Sequence, residues 1–121
     1  MTNGVSRYRL ADKLITRDSS VEAEFGISEL RVYAYMASDS ELTIVGEVFA
    51  TPKPKKRFYV QITIYDKDGD VLESDDNSGY GSGLVTSYIY PSAFFNGFPF
   101  TKTFYGVKKS DIGEIRIVPE G

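Results

Sequence analysis

The 121-residue sequence contains no cysteine and no histidine. Without cysteine there is no disulfide, no thiolate nucleophile and no zinc–thiolate centre. A cysteine-free fold is also indifferent to the redox state of its compartment. Without histidine, no Ser-His-Asp or Cys-His machinery can be assembled. Imidazole metal ligation is excluded, as is the usual proton shuttle near neutral pH. Catalysis by carboxylates, lysine or tyrosine stays open, but nothing in the sequence brings two carboxyls to a catalytic separation. No apolar run approaches the ~20 residues of a spanning helix, so no membrane span is expected. Positive charge is scarce: 14 Lys and Arg stand against 17 Asp and Glu, for a net charge of −3. Phosphate backbones need a dense basic field, so nucleic acid is not an expected partner. The opening "MTNGVSRYRL" lacks the apolar centre of a signal peptide. A cytoplasmic location is expected if Met1 is the native start, and the cell envelope or exterior if a signal has been removed.

What is present suffices for one domain. A hydrophobic share of 41% and an aromatic share of 14% can build a core without covalent staples. From residue 29 the apolar period is two. "ELRVYAYMA" sets Leu30, Val32, Ala34 and Met36 against Arg31, Tyr33 and Tyr35. "ELTIVGEVFA" and "FYVQITIYD" alternate in the same way, with Leu42, Ile44, Gly46 and Val48, then Phe58, Val60, Ile62 and Ile64, on one face. Between them "TPKPKKR" is a loop, because its prolines lack amide donors. "KDGD" turns the chain at Gly69 into a short strand from Val71. "LVTSYIY", "FPFTKTFYG" and "EIRIVP" read as three more strands, the second with a bulge where Lys102 breaks the alternation. About seven short antiparallel strands with turns between them predict an all-β sandwich. Residues 1–28 read as an arm docked on it. Val5, Tyr8, Ala11, Leu14 and Ile15 fit a short amphipathic helix, with a strand as the competing reading. Ser19 and Glu22 form a capping-box pattern.

"LTIVGEVFA" followed by "FYVQITIYDKDGDVL" resembles the FxLYD-type bacterial domain. The matching residues are Gly46, Glu47, Val48, Phe58, Ile64, Tyr65, Asp66 and Gly69. "PSAFFNGFPFTKTF" is similar to the segment that closes those domains, and the resemblance covers about residues 29–118. It implies an immunoglobulin-like sandwich over residues 29–121, common in envelope-associated bacterial proteins and without catalysis. Residues 1–27 have no counterpart in it, and "FATP" stands where an asparagine would follow Gly-Glu-Val-x.

Three stretches are candidate sites. "YDKDGDVLESDD" alternates Asp66, Asp68 and Asp70 like the start of a calcium loop. An EF-hand would then need glycine at position 6 and glutamate at 12, where Val71 and Asn77 stand. An irregular calcium site on Asp66, Asp68 and Asp70 competes with a solvated, acidic turn that discourages edge pairing. Lys53, Lys55, Lys56 and Arg57 make a compact basic loop that reads first as an ordinary solvated loop; an acidic protein partner, anionic lipid, a phosphate, or self-association with the acidic loop of another copy are the competing readings. Phe94 and Phe95, beside a turn, are the expected exposed aromatic pair. "SGYGSG" satisfies neither GxGxxG nor GxSxG and reads as a loop. The resulting expectation is a non-catalytic bacterial accessory or protein-interaction module. The alternative is a ligand-binding module, taking glycan at 94–100 or calcium at 66–76, and a small hydrolase ranks last.

Overall fold

Period-two alternation places one apolar face on each long strand, and two such faces close on each other. The computed structural model describes residues 8–50, 53–75, 89–94 and 97–121. Its elements are strands β1 (Tyr8–Arg9) and β2 (Ile15–Thr16), helix α1 (Ser19–Glu24), and strands β3 (Ile27–Ser38), β4 (Glu41–Ala50), β5 (Tyr59–Asp66), β6 (Val71–Asp75), β7 (Phe98–Tyr105) and β8 (Ile112–Glu120). The first sheet has the order β1-β3-β4-β7 and the second β2-β8-β5-β6. The fold is an all-β sandwich. Leu30, Leu42, Ile44 and Val48 from one sheet and Phe58, Val60, Ile62, Ile64, Ile115 and Ile117 from the other are fully buried between them. Each such side chain contributes roughly 1.5–3 kcal/mol of transfer free energy.

The arm is woven into both sheets. β1 pairs antiparallel with β3, Tyr8 opposite Met36, and β2 pairs parallel with β8, Ile15 opposite Ile115. The second sheet is therefore mixed rather than wholly antiparallel. Of the two readings for this stretch the strand holds, interrupted by a single 3-10 turn at Asp12–Leu14. The helix comes later, at Ser19–Glu24, and its cap is Asp18 instead of Ser19. Asp18 is extended, and its carboxylate accepts from the amides of Ser20 and Val21 at 3.1 and 3.2 Å. An anionic acceptor at the positive helix end is the stronger cap. The Ser20 hydroxyl, and then the Val21 amide, hold the Asp18 carboxyl below its ordinary range. That contribution is present above the unfolded pKa of about 3.9 and is lost as pH falls through the depressed folded value.

Glu22 does not reach back to complete a capping box. Its carboxylate is buried and takes two hydrogen bonds, each 3.0 Å, from the Arg17 guanidinium. The pair joins an arginine side chain 41% exposed to a glutamate 5% exposed. Arg17→Ala leaves a buried carboxylate without its donor. A loss of about 1.5–3 kcal/mol is expected, the range for hydrogen bonds to charged groups. Chemical denaturation reads it directly, and Glu22→Gln in the same background should recover part of the loss.

Among the expected strands, "LVTSYIY" lies mostly outside the described residues; its Ile89 and Tyr90 are described, Ile89 bridging Phe58. The expected bulge at Lys102 is absent. β4 and β7 stay in register from Glu41–Tyr105 to Val48–Phe98, with Lys102 opposite Ile44 on the core-side face. Among the described residues β7 is an edge strand. A charge at the inner rim of an edge, with Pro99 beside it, discourages a further strand from pairing there. The bulges among the described residues fall elsewhere, two of them in β3, where Ser28 and Ala37 are the extra residues opposite Phe49–Ala50 and Glu41–Leu42. Gly113 is the extra residue of β8 opposite Tyr65–Asp66, and Leu72 is the extra residue of β6 opposite Ile64–Tyr65.

Candidate interaction surfaces

The acidic turn follows directly from β5. Asp66 Oδ1 accepts from the backbone amides of Asp68 and Asp70 at 2.8 and 2.9 Å. Its backbone amide donates to the Asp70 carbonyl, and its carbonyl accepts from Gly69. Gly69 has φ +90°, the positive value the turn requires. One carboxylate oxygen thus organises the loop internally. Among the described residues no three acidic groups converge in a way that would hold a metal ion. A shallow groove of about 200 Å³ lies beside the turn, lined by Asp66, Lys67, Asp68, Leu72, Ser110 and Asp111. Asp66→Ala should cost about 1 kcal/mol, as for loss of a helix cap of similar geometry. Thermal melting in a chelator checks that the loss needs no cation.

The basic loop sits at the other end of β5. Lys53, Lys55, Lys56 and Arg57 are all exposed, while Pro54 between them is buried. The loop is braced against the end of α1. The Lys55 amide donates to the Phe25 carbonyl at 2.8 Å. The Lys56 ammonium lies 4.7 Å over the Phe25 ring, whose centroid is 5.6 Å from that of Phe58. Gly26, at φ +80°, allows this approach: a Cβ there would lie 2.9 Å from Lys55 Cγ and 3.0 Å from its backbone nitrogen.

The aromatic segment does not form an exposed platform at Phe94. A 3-10 turn at Pro91–Ala93 directs Phe94 inward, where it is 8% exposed and part of the core. The expectation of an exposed Phe94 is therefore corrected: the core needs a large side chain at this end. Phe95 lies outside the described residues. Phe100 and Phe104 are also core residues, and Phe98 packs against them.

A fourth surface, not singled out from the sequence, is the outer face of the first sheet. Pairing puts Tyr35 beside Thr43, Tyr33 beside Val45, and Arg31 beside Glu47. The Arg9 guanidinium lies 4.3 Å over the Tyr33 ring, and that of Arg31 lies 5.0 Å over Phe49. Both are also ion-paired, Arg9 to Asp12 and Arg31 to Glu29. Thr43 and Thr103 share a hydroxyl–hydroxyl hydrogen bond of 3.1 Å across β4 and β7. Tyr33 is 38% exposed and Tyr105, at the end of the same face, 74%. The signal was present in "ELRVYAYMA": the residues alternate with the core set, and alternation sends them outward. It was passed over because a tyrosine on the solvent side of a strand is unremarkable singly; only the pairing of strands gathers these into a patch.

No known family profile matches the chain, and neither a characterised protein nor a solved structure aligns with it significantly.

Proposed function

We propose that the chain is a non-catalytic, immunoglobulin-like interaction module of a bacterial protein, and that it meets a protein partner through the outer face of the first sheet. The strand order supports the immunoglobulin-like part. β3, β4 and β7 follow the order A-B-E, and β8, β5 and β6 the order F-C-C′, of that Greek key. β2 takes the place beside F that a G strand has there, but runs parallel. The FxLYD-like motif agrees: Gly46, Glu47 and Val48 fall on β4, and Tyr65 and Asp66 end β5.

The observation that carries the partner reading is the composition of the outer face. Tyrosine, phenylalanine and arginine are enriched at the centres of protein interfaces, and lysine is depleted. Tyr33, Tyr35, Phe49, Arg9 and Arg31 lie together on this face. None of the described outward residues of β1, β3, β4 and β7 is lysine. A guanidinium held over a ring and in an ion pair has less side-chain freedom to lose on docking. The double substitution Tyr33→Ser and Tyr35→Ser tests this. A partner identified by co-purification with the unaltered chain should bind the variant at least tenfold more weakly, with little change in melting temperature. Equal affinity would reject the face as the binding surface.

A further inference from the structure

The basic loop is a second interaction surface, at one pole of the sandwich and separate from the sheet face. Lys53, Lys55, Lys56 and Arg57 place four cations in five residues of a chain whose net charge is −3. Among the described residues Lys53, Lys55 and Lys56 make no ion pair. The loop is held in place by the Lys55–Phe25 backbone bond and the buried Pro54. A charged surface that is already ordered loses little entropy on docking.

What it fits is decided by charge. A long polyanion or an anionic membrane would run beyond the loop onto an acidic protein. A short, local run of carboxylates meets no such repulsion. The chain carries one at its opposite pole: Asp66, Asp68 and Asp70, with Asp111 at the same end, offset in part by Lys67 in the turn and by Lys109 in the 3-10 turn of Asp111. β5 separates the two poles by eight residues, roughly 25 Å at the usual rise. That exceeds the Debye length of ~10 Å at 0.1 M salt. The poles of one molecule therefore neither touch nor neutralise each other, but those of two molecules can. We infer that the basic loop Lys53–Arg57 of one copy docks on the Asp66–Asp70 turn of the next, giving head-to-tail self-association that rises as salt falls. Such a heterologous contact builds rings or open chains of copies, according to whether its rotation closes, rather than a two-fold dimer.

Sedimentation velocity tests this with the full chain. In 20 mM NaCl the weight-average mass should at least double between low micromolar and near-millimolar protein, and in 500 mM NaCl it should stay at that of one chain. Two charge-reversed variants locate the contact. One is Lys53→Glu with Lys55→Glu, sparing Lys56 on the Phe25 ring. The other is Asp68→Lys with Asp70→Lys, sparing Asp66, which builds the turn. Each alone should remain monomeric in 20 mM NaCl. Mixed one to one, they present opposite charges at both contacts and should associate again, which misfolded variants would not do. A wild-type monomer throughout, association that persists in either variant, or a mixture that fails to associate would each overturn the inference. None of these outcomes bears on the sheet face.

Discussion

Phe58→Ala is expected to lower the unfolding free energy by about 3–5 kcal/mol, the range for deleting a buried aromatic ring. Phe58 is fully buried and is the largest such side chain among the described residues. Several otherwise separate pieces meet on it. Its ring lies against Phe25 at the end of α1, and its backbone amide and carbonyl both pair with Ile89. The cavity left by alanine would open under the braced basic loop, where the rigid sheet cannot collapse to fill it. Against a typical total of 5–15 kcal/mol the loss is a large fraction of the stability. Urea denaturation checks it as a fall in midpoint at unchanged slope. A loss below 1 kcal/mol would mean that the arm and the loop do not share this anchor.

Gly113→Ala should be nearly as damaging, at about 3 kcal/mol, the upper end for overpacking. A methyl group at this bulge would overlap the carbonyl oxygen of Asp66 and lie 2.7 Å from its carbonyl carbon and 2.9 Å from Lys67 Cα. All three atoms are backbone, so relief requires parting β5 from β8 at their paired end. Gly46→Ala is the instructive comparison. There the three atoms nearest the added methyl all belong to the side-chain ring of Phe100, on β7. The far end of a side chain, even a buried one, can shift further than backbone, so a smaller loss, about 1–2 kcal/mol, is expected. Melting temperatures of the two variants should fall in that order; the reverse order would place the strain on the wrong strand pair.

Strands β4 and β5 were legible because the apolar residues of their inner faces recur with a period of two. Leu42, Ile44 and Val48 on β4, and Val60, Ile62 and Ile64 on β5, are inward in the sequence pattern and buried in the structure. The arm was less legible. A two-residue strand such as Ile15–Thr16 has no period to read, and its parallel pairing with Ile115–Arg116 is a long-range choice. Asp18 was missed as the cap because Ser19 and Glu22 supply a matching pattern one residue on, while Arg17 competes for Glu22. Lys102 imitated a bulge for a different reason. A charge on the core side breaks the alternation whether the backbone shifts or the side chain reaches out past a strand edge, and only the strand order separates the two. As for the sites, the turn role of Gly69 was readable from its spacing, but the inward turn of Phe94 depends on packing contacts distant in sequence.

The most direct test of the functional account compares two positions in the living cell. A photo-cross-linking residue is placed at Tyr33, on the outer face of the first sheet, or at Gln61, on the outer face of the second. The account predicts one discrete protein adduct from position 33 and none of that mass from position 61. The same adduct from both positions, or from position 61 alone, would contradict the assignment of the partner to the first sheet.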